Sequence, residues 1–271
     1  MLASQRRSTI LSLVDETGAV KVSDLVDHLQ VSDMTIRRDI EQLAREGRLE
    51  RVHGGAVSLG QASSHEPGFL VKSALMTAEK RAIAEHAATL VEPGSAVAIS
   101  AGTTTYELAR CLRTVPDITI VTNSVPVAQL LHESSAPGQT VVLTGGLRTP
   151  SDALVGPVAV TALRSLHVDR LFLGVHGMDS RAGLTTPNIV EAETNRALVA
   201  SARQTVILAD HTKWGVVGLS TIIALAEVDL LVTDSGLPSR ARTALEDAVT
   251  QLVVVRAGGR GQRAPAVATQ R

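Results

Sequence analysis

From residue 78 onward the chain alternates short apolar runs with helical patterns, and that rhythm leaves few folds open. Apolar runs fall at 97–100, 118–122, 140–143, 169–175, 205–209, 229–233 and 252–255. Helical spacing falls between them, at 78–91, 104–112, 125–132, 157–166, 189–202 and 238–249. A strand that is followed by a crossover helix and another strand predicts a mostly parallel sheet with helices on both faces. The fold class expected over 77–256 is therefore α/β. Composition agrees: hydrophobic residues make up 44% of the 271 while aromatics make up 1%. Such a core must be built from Ala, Val, Leu and Ile, which suits helices on a parallel sheet.

In open parallel sheets ligands sit beyond the carboxyl ends of the strands. Here the first strand runs into Ala101-Gly102-Thr103-Thr104-Thr105 and then a helix. Gly102 lets backbone approach a ligand, and the N–H groups and three hydroxyls that follow face the positive end of a helix dipole. The same segment also fits a plain N-cap. Further strand ends carry Asn123, the backbone nest at Gly146 with Arg148 close behind, His176 and Lys213. Small, hydroxyl and cationic groups converging at strand ends fit a phosphorylated ligand better than an apolar one, although each alone also fits a surface residue. Glu191 opens the 189–202 helix, where an acid also serves as a dipole partner.

Residues 31–55 carry a different signal. Ser32 is placed to cap a helix whose Ile36, Ile40 and Leu43 form an apolar stripe at i, i+4, i+7. The opposite face carries Met34, Arg38, Glu41 and Arg45, with Thr35 and Arg37 on its flanks. Gly47 ends the helix, and Arg48, Arg51 and His53 lie around a short hairpin closed by Gly54-Gly55. Upstream, 4–16 places Ile10, Leu11, Leu13 and Val14 on one side, and 23–29, opening at Ser23, turns Leu25, Val26 and Leu29 inward. Three helices and a hairpin make a winged helix-turn-helix over 1–57. Thr35 and Arg38 then reach base edges and Arg37 reaches phosphate, because a recognition helix enters the major groove by its N-terminal residues. An ordinary solvated helix fits the spacing too. Residues 1–60 hold eight Lys/Arg against nine Asp/Glu, so charge counting does not decide.

Net charge is −1, so any attraction to nucleic acid must be local. The basic residues are 22 arginines and four lysines. The single Cys111 excludes an intrachain disulfide and a cysteine metal cluster, and its helical run makes it a small core residue. The eight histidines show no paired metal-ligand spacing, and neither a Walker loop nor a serine nucleophile elbow is present. No metal or cofactor is expected. No apolar run reaches membrane-spanning length and no signal-peptide pattern opens the chain, so a cytoplasmic protein without membrane contact is expected. The small, polar, Gly/Pro-containing stretch 58–76 predicts an irregular linker, and 257–271 predicts a disordered tail.

The segment Val31-Ser32-x-x-Thr35-Ile36-Arg37-Arg38-Asp39-Ile40, followed by Gly47 through Ala56, resembles the N-terminal signature of DeoR-type transcriptional regulators. Glu79-Lys80-Arg81, Gly102-Thr103-Thr104-Thr105, Thr122-Asn123-Ser124, Thr144-Gly145-Gly146, Leu154-Val155-Gly156-Pro157, the run 183–188 and Asp210-His211-Thr212-Lys213 occur in the order of that family's sensor domain. The resemblance spans roughly 3–256. It implies a winged helix-turn-helix followed by a sensor similar in fold to phosphosugar isomerases. It also implies a regulator, usually a repressor, of carbohydrate-utilisation genes. Its partners would be double-stranded operator DNA, a sugar-phosphate effector and further copies of itself, as a homodimer or homotetramer. The DNA-binding residues it implies are Ser32, Thr35, Arg37, Arg38, Arg48, Arg51 and His53. The effector residues are Gly102, Thr103, Thr104, Thr105, Asn123, Gly146, Arg148, His176, Glu191 and Lys213. Three positions depart from the family pattern: Ser100 and His176 stand where Asp is common, and Asn195 where Lys is common. His176 either binds phosphate when protonated or holds its loop. Two alternatives stand beside the regulator: an isomerase-like enzyme, which needs a positioned base that those departures remove, and a DNA-binding scaffold with an altered effector site.

Overall fold

A computed structural model describes residues 2–17, 19–52, 54–58, 69–73, 75–134 and 136–257. His53, the linker stretch 59–68 and the tail 258–271 lie outside the described residues.

The N-terminal unit comprises α1 (Ala3–Thr17), β1 (Ala19–Lys21), α2 (Val22–Leu29), α3 (Asp33–Arg45), β2 (Leu49–Val52) and β3 (Gly55–Ser58). β2 and β3 form the expected antiparallel hairpin, and β1 adds to the far side of β3. Ile36, Ile40 and Leu43 of α3 pack on Ile10, Val14, Val22, Leu25, Leu49 and Ala56 in one core. Ser32 caps α3, accepting from the Thr35 N–H at 3.3 Å. Gln30 turns the chain between α2 and α3 in the left-handed region, at φ 53°. One expected boundary moves. α2 opens at Val22 rather than at Ser23, because the Val22 N–H is satisfied by the Gly54 carbonyl of the hairpin turn (2.9 Å). Ser23 is not its cap and bonds Asp24 instead.

The connection is not irregular throughout. It contains a short helix, α4 (Phe69–Ser73), ahead of α5 (Thr77–Ala88). The remainder runs β4 (Ala96–Ile99), α6 (Thr103–Leu112), β5 (Thr119–Thr122), α7 (Val125–Glu133), β6 (Thr140–Leu143), β7 (Leu147–Arg148), β8 (Leu154–Val155), α8 (Pro157–Arg164) and β9 (Val168–Gly174). Next come β10 (Gly177–Asp179), β11 (Gly183–Thr186), α9 (Ile189–Ser201), β12 (Ala202–Leu208), β13 (Ser220–Ile223), β14 (Leu230–Asp234), α10 (Ser239–Ala248) and β15 (Leu252–Val255). The ring of Phe69 meets Tyr106 of α6 edge-on, with centroids 5.4 Å apart. That contact is tertiary packing, which the Gly/Pro-containing sequence of the linker does not announce.

All seven expected strands join one sheet in the order β15-β14-β12-β9-β4-β5-β6, and every pairing in it is parallel. Side chains alternate across it with period two. Val97, Ile99, Ile120, Phe172, Val206, Leu208 and Val232 face a core closed by α5, α6 and α7. Ala98, Val121, Leu171, Leu173, Ile207 and Leu231 face the other, closed by residues of α8, α9 and α10. Cys111 packs half-buried against the first of these cores. Strand order reverses between β4 and β9: the chain builds outward from β4 through β5 to β6, then returns to β9 on the other side of β4. Such a reversal splays the two following loops apart and opens a crevice at their carboxyl ends. A small antiparallel sheet, β10-β11-β13, and the β7-β8 hairpin flank that edge.

Candidate functional site

A cleft lies at this reversal point. Its floor is Ala101, Gly102, Thr103 and Thr104 after β4 and Gly174, Val175 and His176 at the carboxyl end of β9. Thr186, Pro187 and Glu191 wall one side, Ser151 and Lys213 close others, and Phe69 and Lys72 reach in from α4. A second, larger groove lies between α8 and α9, and none of the loops after β4, β9 or β12 lines it. Larger size does not outweigh the convergence of polar groups at the strand ends.

Gly102 precedes the first turn of α6, and a Cβ there would sit 3.0 Å from the Thr105 hydroxyl. The Ser100 hydroxyl accepts from the Gly174 N–H at 3.0 Å and so staples the end of β4 to the end of β9. Ser100 is buried and stays out of the cleft lining, as does Asn195 on α9. His176 does line it, and its N–H donates to the Thr185 carbonyl at 3.2 Å.

Six of the ten residues expected to meet the effector line the cleft: Gly102, Thr103, Thr104, His176, Glu191 and Lys213. The other four lie behind it or away from it. Thr105 is fully buried and its hydroxyl donates to the Gly102 carbonyl. Asn123 is a strut: its Oδ1 accepts from the Ala101 N–H (2.8 Å) and its Nδ2 donates to the Leu154 carbonyl (3.1 Å). Gly146 lets β7 close on β8. At φ 123°, a Cβ there would lie 2.5 Å from the Val155 carbonyl oxygen. Arg148 is exposed and turns to Asp152 in its own hairpin. Sequence reasoning missed Phe69, Lys72, Ser151, Thr186 and Pro187. Of these Thr186 and Pro187 lie in the run 183–188. The Thr186 hydroxyl is buried without a hydrogen-bond partner among the described residues.

The electrostatics divide the cleft. Lys72 and Lys213 lie on its lining together with the α6 N-terminus, and Glu191 supplies a carboxylate on another wall. Behind the lysines sits Asp210. Burial works against its ionisation, but Lys213, the Thr212 hydroxyl and Lys80 outweigh burial and hold the carboxyl below the usual range. Lys80 is 3% exposed, and its ammonium donates to the Lys72 carbonyl. Burial, only partly offset by Asp210, pulls its pKa from 10.5 to about 8. The unfolded chain therefore binds the extra proton between about 8 and 10.5, and folding stability should rise with pH across that window. Below about 8 both states are protonated and the full cost of burying the charge, up to roughly 3 kcal/mol, is present. Urea unfolding followed through Trp214, the one tryptophan, should show this rise, and Lys80→Met should flatten it. An equal rise in both proteins would assign the effect to another group.

The winged unit presents a second surface. Arg38, Arg48, Met34 and Arg45 are exposed, and Arg38 makes no ion pair among the described residues. Arg37 pairs with Asp33 one turn back, and Arg51 of the hairpin pairs with Glu41 of α3 at 3.0 Å. The hydroxyls of Ser32 and Thr35 bond each other at 2.8 Å, which fixes the first turn. Sequence reasoning gave no role to Arg6 and Asp39. Their ion pair ties α1 to the inner side of α3 and so sets the angle at which the reading helix stands.

Among the described residues no three His, Cys, Asp or Glu side chains group to hold a metal ion, and no helix is long and apolar enough to cross a membrane. His211, at the end of β12, turns to Asp234 at 2.8 Å.

Comparison with known proteins agrees with both halves. Residues 6–62 match the DeoR-like helix-turn-helix domain and residues 75–235 the DeoR C terminal sensor domain. The uncharacterized HTH-type transcriptional regulator YgbI of Escherichia coli K12 is 38% identical over 94% of this chain and 99% of its own length. The HTH-type transcriptional regulator GlpR of Haloferax volcanii is 38% identical over 93% of this chain and 98% of that protein. The HTH-type transcriptional repressor CsqR of E. coli K12 is 32% identical, over 94% and 96% respectively. Reader unit, parallel-sheet sensor and full-length similarity agree: the chain belongs to the DeoR family of DNA-binding transcriptional regulators.

Proposed function

We propose that the chain is a cytoplasmic repressor of a carbohydrate-utilisation operon, whose hold on DNA responds to a sugar phosphate in the cleft at the β4/β9 reversal. The division of that cleft carries the reading. Two lysines and a helix N-terminus suit a phosphate dianion, while a carboxylate and several hydroxyls suit the hydroxyls of a sugar. The repressor name of one relative supports the sign of regulation. Two copies acting together would let ligand binding change the spacing of two reading helices against the groove repeat.

An isomerase reading is weaker on geometry. Aldose–ketose isomerisation needs a base beside the substrate carbon and donors for the enediolate. Of the three positions that depart from the family pattern, Ser100 and Asn195 are buried off the cleft and His176 alone lines it.

On DNA, Thr35 and Arg38 are assigned to base edges, and Arg37, Arg48 and Arg51 to the backbone, with Ser32 capping the reading helix beside it. Arg38→Ala should weaken binding to DNA from upstream of the chain's own gene by about 1–3 kcal/mol while leaving random DNA nearly unaffected. Fluorescence anisotropy at one fixed salt concentration measures both affinities. Equal loss on the two DNAs would reduce Arg38 to a phosphate contact.

A further inference from the structure

Only four lysines stand among 22 arginines, and three of them, Lys72, Lys80 and Lys213, gather at the cleft. A composition that favours arginine so strongly leaves lysine where a compact ammonium is needed and a broad guanidinium with five donors is not. Lys72 and Lys213 line the cleft, and Lys80 is buried behind them within electrostatic reach of both. Lys72 does not belong to the sheet or its crossover helices. It sits on α4, in the connection between reader and sensor. That helix lies against α6 through Phe69 and Tyr106 and also approaches β1 of the reader unit. Its last turn is tied to α5 by the Lys80 ammonium on the Lys72 carbonyl.

We propose that Lys72 is an anion ligand of the effector, so that the linker helix completes the binding site and the docking of α4 on the sensor is itself the ligand-sensitive step. Lys72 and Lys213 each repel the buried Lys80 ammonium, while Asp210 and Glu107 offset that repulsion. An anion held between Lys72 and Lys213 adds an attraction that holds α4 on α6. The two states of the linker thus differ in affinity for the ligand, which is what a coupled transition requires. The proposal rests on the phosphorylated-effector reading given above and adds where the signal leaves the site.

The test uses the full-length protein and inorganic phosphate as probe. Trp214 adjoins Lys213 and reports occupancy by its fluorescence, while hydrogen exchange of the peptide covering 69–73 reports docking of α4. In the unsubstituted protein, phosphate should change the Trp214 signal saturably and slow exchange in 69–73. Lys72→Gln should raise the half-saturating phosphate concentration about tenfold and abolish the slowing, as expected for loss of one charge-assisted contact, and Lys72→Arg, which keeps the charge but not the compact ammonium, should restore only part of both. Saturation of Lys72→Gln at the unsubstituted protein's concentration would overturn the assignment of Lys72 and leave the anion site standing. Saturation without slower exchange in 69–73 would overturn the role of the linker. No saturation in the unsubstituted protein would overturn the anion site and this proposal together.

Discussion

Asp39→Ala should unfold the reader unit while the sensor stays folded. Asp39 is 5% exposed and pairs with Arg6, which is itself nearly buried. Removing one partner of a buried ion pair strands the other charge, at a cost of about 3–5 kcal/mol. A unit of this size has one small core of aliphatic side chains and only a few kcal/mol of net stability, so the loss consumes most of it. The double replacement Arg6→Met with Asp39→Leu removes both charges together and should be much milder. Circular dichroism during urea titration should show an early helical transition in Asp39→Ala, with the Trp214 transition unmoved. DNA binding should vanish with the early transition. A reader transition displaced by less than about 1 kcal/mol would mean that the pair is solvated and does not set α3.

The second large effect is expected at Asn123. Its side chain is fully buried and joins two strand-end loops, with Ala101 N–H on one side and the Leu154 carbonyl on the other. The Leu154 N–H returns a third bond, to the Asn123 carbonyl, at 2.7 Å. Leucine at this position has the volume but not the amide. Two buried backbone groups lose their partners at roughly 1–3 kcal/mol each. The Ala101–Thr104 loop that floors the cleft then loses its anchor. Asn123→Leu should shift the Trp214 unfolding transition to lower urea and raise the phosphate concentration needed for half-saturation at least tenfold. Operator affinity without ligand should not change. Normal phosphate binding in a destabilised Asn123→Leu protein would separate the strut from the site.

Asn123 also shows where reading the sequence stops. Its place after an apolar strand puts it among the residues expected to meet the effector, and the structure sets it one layer behind the cleft lining. Sequence gives the residue at a strand end and not the direction of its side chain. Arg148 lies off the cleft for the same reason: a hairpin of two-residue strands, too short to show periodicity, carries it to Asp152. The seven parallel strands were legible because each is an apolar run bounded by turn residues, and their alternation with helices fixes the topology class. The β10-β11-β13 sheet was not legible. β11 is the Gly-Leu-Thr-Thr run, which is buried along its whole length but has no hydrophobic pattern of its own. The reading helix was legible in detail, since capping and an i, i+4, i+7 stripe are local. Arg6–Asp39 was not, because it joins residues 33 positions apart. Phe69 and Lys72 were hidden by their Gly/Pro-containing surroundings, where composition argued for a plain connector.

We propose that one chain reads DNA with α3 and a phosphorylated sugar with the cleft at the β4/β9 reversal. The most direct test is anisotropy of the full-length protein on DNA from upstream of its own gene, at fixed salt, titrated with matched pairs of free and phosphorylated sugars. DNA affinity should change with at least one phosphorylated sugar and not with its free partner. Tight DNA binding that neither member of any pair alters would contradict the proposal, leaving the reader in place and removing the sugar phosphate from the cleft.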